Sequence, residues 1–169
     1  MIILGIDPGL ANTGYGIVQS NVSRNQLLHY GNIKTDSKTP SEMRLKAIYD
    51  KVINLIDEYD VEEVVLEDVF FSKQVKTAFI LGEAKGIIKL AAANSGTPMA
   101  TYTPLQVKTS VTGYGKAPKT QVQKMVQMLL KLKEIPQPDH AADALALTIC
   151  HSRSHKLNKL REKFEELPA

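Results

Sequence analysis

Apolar residues run almost unbroken from Ile2 to Ile6 and stop at Asp7, where Pro8-Gly9 signals a turn. The pattern predicts a buried first strand that delivers a carboxylate at its end. Residues 13–19 and 27–35 predict two more strands, separated by the polar stretch 20–26 and closed by Asp36-Ser37-Lys38. Together the three read as an antiparallel meander. Thr39-Pro40-Ser41-Glu42 has a capping-box pattern, with Thr39 as the cap, Pro40 at the first helical position and Glu42 reaching back. Met43, Ile48, Val52, Leu55 and Ile56 then recur at helical spacing, and the helix ends near Glu58. Val64-Val65-Leu66 is a short buried strand, and it too ends in a carboxylate, Glu67.

Residues 73–94 predict one long helix on which Val75, Phe79, Gly82, Gly86 and Leu90 lie near one face. Glycine costs a helix about 1 kcal/mol relative to alanine. Two glycines on one face therefore point to close backbone approach, either to the chain's own sheet or to another subunit. A fifth strand follows at 98–102 and a short helix at 104–110, and residues 112–119 form a Gly-rich basic loop. The helix at 120–131 has a second capping-box pattern in Thr120 and Gln123. Its apolar face comprises Val122, Met125, Val126, Leu129 and Leu130. Pro136-Gln137-Pro138 breaks the chain, and a last core helix starts at about Asp139 and runs to His151 or beyond. Strands and helices in this order predict an α/β fold, a five-stranded mixed sheet flanked by helices. The organisation expected is one domain over residues 1–154 and a charged tail over 155–169.

Composition changes this picture little. At 169 residues, 43% hydrophobic and 23% charged, the chain reads as one globular domain with room for a full core. Its single cysteine, Cys150, excludes an intrachain disulfide and reads as a buried small apolar residue. No run reaches the length of a membrane span, and no secretory leader is visible, so a cytoplasmic protein is expected. The net charge of +3 identifies no partner by itself. Its placement is more informative: residues 104–134 hold six lysines (108, 116, 119, 124, 131 and 133) against one acidic residue, Glu134. Such a patch suits phosphates, although a charge run is more often a solvated face.

The chemistry depends on which residues the fold brings together. In a mixed sheet, the ends of adjacent central strands build the site. A parallel crossover can set Glu67 beside Asp7. In the last helix His140 and Asp143 are three apart and share a face, and Ala141, Ala142, Ala144 and Ala146 are small enough to let that helix approach the sheet. Each residue has a plainer reading. Asp7 suits a turn, Glu67 a solvated strand end, His140 a surface position and Asp143 the positive helix terminus. Asp139 reads as the helix N-cap and stands outside the set. Read together, Asp7, Glu67, His140 and Asp143 are hard oxygen donors with one imidazole, a set that suits Mg²⁺ or Mn²⁺. Two such ions about 4 Å apart clamp the attacking and leaving oxygens of a phosphodiester.

A series of motifs then resembles the bacterial RuvC Holliday-junction resolvases. They are Gly5-Ile6-Asp7-Pro8-Gly9 with Thr13-Gly14-Tyr15-Gly16, Leu66-Glu67-Asp68-Val69-Phe70, Leu81-Gly82-Glu83-Ala84-Lys85-Gly86, Gln106-Val107-Lys108 through Gly115, and Ala141-Ala142-Asp143-Ala144-Leu145-Ala146. The resemblance implies a ribonuclease H-like fold and a homodimer that binds a four-way DNA junction in homologous recombination and DNA repair. It also implies Mg²⁺-dependent, symmetric nicking of two opposing strands, with two Mg²⁺ per subunit and Mn²⁺ as a substitute. The family's four metal-site positions match Asp7, Glu67, His140 and Asp143. The third is often aspartate, so His140 keeps a ligand but removes a negative charge; the alternative is a register in which Asp139 contributes instead. Phe70 matches an aromatic thought to stack on an unpaired base. Lys108 and Lys119 match basic residues of the family's DNA-binding surface, and Lys116 in the basic Gly-rich loop is expected to bind DNA with them. The Gly82/Gly86 helix matches the dimer seam. Cooperation with a RuvA–RuvB branch-migration complex is implied by the resemblance alone. The alternatives are a general ribonuclease H, a junction-binding protein without cleavage and an actin-like ATPase or kinase. The last needs a second, duplicated domain that 169 residues cannot supply.

Overall fold

A computed structural model describes residues 1–22, 24–68 and 75–165. Three strands, β1 (Ile2–Asp7), β2 (Asn12–Ser20) and β3 (Asn25–Lys34), precede α1 (Ser41–Glu58) and β4 (Glu63–Glu67). Then come α2 (Val75–Asn94), β5 (Met99–Tyr102), α3 (Pro104–Thr112), α4 (Lys119–Leu129) and α5 (Asp139–Glu165). The five strands form one sheet in the order β3-β2-β1-β4-β5. The first three make the antiparallel meander, and β4 and β5 add in parallel. This is the expected five-stranded mixed sheet.

Strand alternation divides the core into two layers. On one face Leu4, Ile6, Val64 and Leu66 pack against Ile48, Val52 and Leu55 of α1 and Ile88 and Ala91 of α2. On the other, Ile3 and Val65 meet Val107 of α3, Val126 of α4, and Leu145 and Ile149 of α5. By the same period of two, Gly5 and Asp7 share the face of Ile3, while Glu63 and Glu67 share that of Val65. The α5 side of the sheet therefore carries the acidic residues.

Helix α5 lies unusually close to the sheet. A Cβ on Gly5 would overlap the backbone oxygen of Ala144, and one on Gly14 would overlap that of His140. Ala141, Ala142, Ala144 and Ala146 are at most 1% exposed. The small residues do what their pattern predicted, letting a helix seat its backbone almost against two strands. Cys150 is buried, as expected.

Several local expectations are corrected. Neither predicted capping box forms. Helix α1 begins at Ser41 with Pro40 as its cap residue and no side-chain cap bond. Thr39 instead belongs to the preceding turn, where its N–H donates to the Asp36 carbonyl at 3.1 Å. Helix α4 is likewise capped by Pro118 without a side-chain bond. A capping box does form at α3, between Thr103 and Gln106. Met43 is 53% exposed rather than part of the α1 core face.

The face predicted on α2 is outward. Val75 and Phe79 are 71% and 72% exposed, Leu90 is half-exposed, and a Cβ at Gly82 or Gly86 would meet open space. Packing on the chain's own sheet is therefore not the reason for these glycines. It is Ala84, Ile88, Ala91 and Ala92 that turn inward. The described part of α2 starts at Val75, and Phe70, Phe71 and Lys73 lie outside the described residues. Among those described, no helix is long and apolar enough to cross a membrane.

Candidate active site

The site forms where β1 and β4 end beneath the first turns of α5. Parallel pairing aligns Ile6 with Leu66, so the next residues, Asp7 and Glu67, stand side by side. Asp7 is also paired with Gly14 across β2. The turn after it is tied by Thr13, whose hydroxyl donates to the Gly9 carbonyl at 2.6 Å. The close approach at Gly14 brings the backbone of His140 over this corner. As a result, the His140 Nδ1 lies 2.7 Å from Asp7 Oδ2.

Asp7, His140 and Asp143 each offer a ligand atom, and all three atoms lie within 4.8 Å of one another. Glu67 stands beside them and lines a cleft of about 210 Å³ with Asp143, Lys108, Lys119, Pro104 and Val107. The predicted quartet thus gathers in one corner, from two strands and one helix. Lys108 and Lys119, predicted for the DNA surface, form one wall of the same cleft. Lys116 is exposed in the turn between α3 and α4. Asp139 is the first residue of α5. It accepts a hydrogen bond from Gln123 at 2.9 Å and faces Lys119 at 3.4 Å.

Electrostatics mark the corner as short of positive charge. Burial, and then the charges of Asp7 and Asp143, push the Glu67 carboxyl up to about 7. Burial also raises Asp7, and the His140 hydrogen bond only partly opposes it. Lys119 responds to this field. It stands 3.0 Å from Asp143, and although burial alone would lower its ammonium, Asp143 and Asp139 hold it above its ordinary range. Buried carboxyls raised further by carboxylate neighbours fit a cation among them. Three carboxylates with one imidazole are a donor set for a hard divalent ion.

One member escaped sequence reasoning. Lys85 of α2 is only 14% exposed and lies 3.9 Å from Asp68. Burial lowers its ammonium against the pull of Asp68 and Glu67. The only trace of Lys85 in the sequence is its place in the motif Leu81-Gly82-Glu83-Ala84-Lys85-Gly86, because the face of α2 that turns inward is set by packing.

Comparison with known proteins agrees with this geometry. Residues 3–151 match the family described as crossover junction endodeoxyribonuclease RuvC. The protein of that name from Halothermothrix orenii is 48% identical over 159 residues, covering 94% of this chain and 96% of its relative. Thermus thermophilus RuvC superposes with a TM-score of 0.88 at 35% identity, over 94% of this chain and 97% of that one. The T. thermophilus protein in complex with Holliday junction substrate gives 0.89 at 36% identity, over 94% and 96%. The yeast mitochondrial Holliday junction resolvase Ydc2, at 12% identity and a TM-score of 0.68 over 97% and 85%, shares the fold alone. The fold is ribonuclease H-like, as expected.

Proposed function

This chain belongs to the RuvC family of crossover junction endodeoxyribonucleases, and from that premise we propose that it resolves four-way DNA junctions by metal-dependent nicking of two opposing strands. The observation that carries the reading is the convergence of Asp7, His140 and Asp143 within 4.8 Å, with Glu67 on the adjacent strand end. In this reading the four residues hold two Mg²⁺ per subunit, with Mn²⁺ as a substitute. Ions held by these residues would supply activation of the attacking water and charge stabilisation at the departing 3′ oxygen. The chain's own groups do the positioning. His140 orients the Asp7 carboxylate through its Nδ1 contact. Lys108 and Lys119 line the cleft, which supports assigning them to the phosphates that flank the scissile bond. Lys116 extends the basic surface along the turn beside it. Phe70 is assigned the stacking role on family resemblance.

The assembly proposed is a two-fold dimer, which presents equal sites to opposing strands. The outward face of α2 supports it, because Val75, Phe79 and Leu90 are exposed around two glycines that would let backbones approach. Work beside a RuvA–RuvB complex rests on the family alone.

The test is a synthetic four-way junction with labelled strands, incubated with Mg²⁺ or Mn²⁺ and either wild type or Asp7→Asn. Paired, ligatable nicks are expected from wild type. The variant should bind the junction but cut at least about a thousandfold more slowly, since a lost metal ligand removes several kcal/mol of transition-state stabilisation. If both proteins bind and neither cuts with either metal, the chain is a junction binder, and His140 becomes the first residue to replace.

A further inference from the structure

The far ends of the same two elements carry a second cluster. Glu63 opens β4 and Glu67 closes it. His151 and His155 lie one and two helical turns beyond the alanine-rich stretch of α5. His151 is 5% exposed, and its Nε2 lies 2.8 Å from Glu63 Oε2. His155 follows at i+4 on the same helical face, with the two ring centres 6.2 Å apart. Glu63, His151 and His155 each offer a ligand atom, again all within 4.8 Å of one another.

A fourth residue orients the set. The Tyr102 hydroxyl lies 2.9 Å from His151 Nδ1. Without an ion, Nε2–H donates to Glu63 and Nδ1 accepts from the Tyr102 hydroxyl. An ion would displace the Nε2 proton, and Nδ1–H would then donate to that hydroxyl, with Nε2 already aimed at Glu63. A ligating histidine is ordinarily fixed in this way, by a hydrogen bond at its other nitrogen. Two imidazoles at i, i+4 on a helix, with a carboxylate from a neighbouring strand, form an N₂O donor set. It suits Zn²⁺ and related borderline ions, with water in the fourth position. Ligand atoms around such an ion stand about 3.4 Å apart, given bonds of roughly 2.0–2.2 Å. Glu63, whose side chain is 22% exposed, has room to swing outward by the needed fraction of an ångström.

We propose that Glu63, His151 and His155 form a transition-metal site that clips α5 to β4. The site is separate from the junction-cleaving corner, and the inference stands whether or not that reading holds. Glu63 and Glu67 are about 13 Å apart along the strand, and Asp143 and His151 about 12 Å apart along the helix. A bound ion therefore holds, from its far end, the same strand–helix pair that sets Glu67 against Asp143.

Equilibrium dialysis of the full chain against Zn²⁺, in excess Mg²⁺ to fill the acidic corner, tests this directly. Wild type and Asp7→Asn should each retain one Zn²⁺ per chain. His155→Ala should weaken that binding by about a hundredfold or more, and Tyr102→Phe by about tenfold through loss of the orienting bond. Co²⁺ in place of Zn²⁺ should give the strong visible absorption of a four-coordinate site, lost in His155→Ala and kept in Asp7→Asn. Circular dichroism verifies the fold of each variant, and Tyr102→Phe supplies the test if His155→Ala unfolds. Three results overturn the proposal: no Zn²⁺ retained by wild type, equal retention by folded His155→Ala or by Tyr102→Phe, or loss of the ion in Asp7→Asn. The first would make the cluster a hydrogen-bonded pair and nothing more.

Discussion

Helix α5 meets the sheet at two ends that are built on opposite terms. At the near end, Asp7, Glu67 and Asp143 crowd together, and Glu67 is driven up to about 7. At the far end, His151 has a partner at each ring nitrogen, Tyr102 at 2.9 Å and Glu63 at 2.8 Å. The near end is held in place by shape, through glycines and alanines that leave no side chain between helix and strand. The far end is held by complementary polar groups. Reactive sites store unfavourable electrostatics that the surrounding packing must overcome, and here α5 carries both the cost and part of the anchor.

Breaking the near end by shape should have the largest effect. Gly14→Ala would drive a methyl into the His140 backbone and its Cβ. Overpacking of this kind costs about 1–3 kcal/mol, and in this case the overlapping atoms are mostly backbone, which yields poorly. A loss near the top of that range is expected in urea denaturation. Nicking should fall further than the unfolded fraction explains, because His140 and Asp143 move with the helix. Equal losses of stability and activity would mean that the corner tolerates displacement of α5.

Changing the charge of the near end should act less on the fold and more on the ion. His140→Asp places a fourth carboxylate in the corner and removes the Nδ1 contact that partly relieves Asp7. Metal affinity rises with ligand charge, so Mg²⁺ should activate the variant at concentrations about tenfold lower. Without metal the variant should melt below wild type. A Mg²⁺ titration of junction cleavage, paired with melting in chelator, reads both effects. An unchanged Mg²⁺ requirement would remove His140 from the ligand set.

The same two ends differ in how openly the sequence displays them. Asp7 and Glu67 were legible because each abruptly ends an apolar run, and two such runs joined by a crossover helix become neighbours in the sheet. His140 and Asp143 were legible through their spacing and the alanines around them. Lys85 was not, because its meaning depends on α2 turning that face toward Asp68. Glu63 and His151 were also hidden. A glutamate opening a strand and a histidine late in a long helix carry no local signal until the antiparallel run of α5 along β4 brings them to 2.8 Å. The capping boxes failed for a related reason. Thr39 and Thr120 had the right chemistry, but neighbouring prolines set the helix starts elsewhere. The apolar runs that end in a carboxylate were kept by the fold, while the two predicted caps that depend on one hydroxyl yielded to the adjacent turn.

The smallest effect expected is also the most direct measure of the near end's cost. The Glu67 carboxyl ionises at about 7 in the folded chain against 4.5 for an ordinary glutamate. A carboxyl raised on folding binds more protons in the native state, so its ionisation destabilises the fold. That cost is absent below about pH 4.5, grows as pH rises through 7, and is complete above it. Each pKa unit corresponds to about 1.36 kcal/mol, and because Glu67 is only partly buried, solvent screening leaves about 1–2 kcal/mol in all. Glu67→Gln removes the charge. In chelator it should therefore be more stable than wild type by that amount at pH 8 and equal to it near pH 4. With Mg²⁺ the order should reverse at pH 8, because wild type gains the bound ion and the variant binds it poorly. Parallel urea curves at the two pH values would read the difference. If the curves of the two proteins coincide at pH 8 in chelator, the crowding of Asp7, Glu67 and Asp143 costs the fold nothing, and the contrast between the two ends of α5 is one of geometry alone.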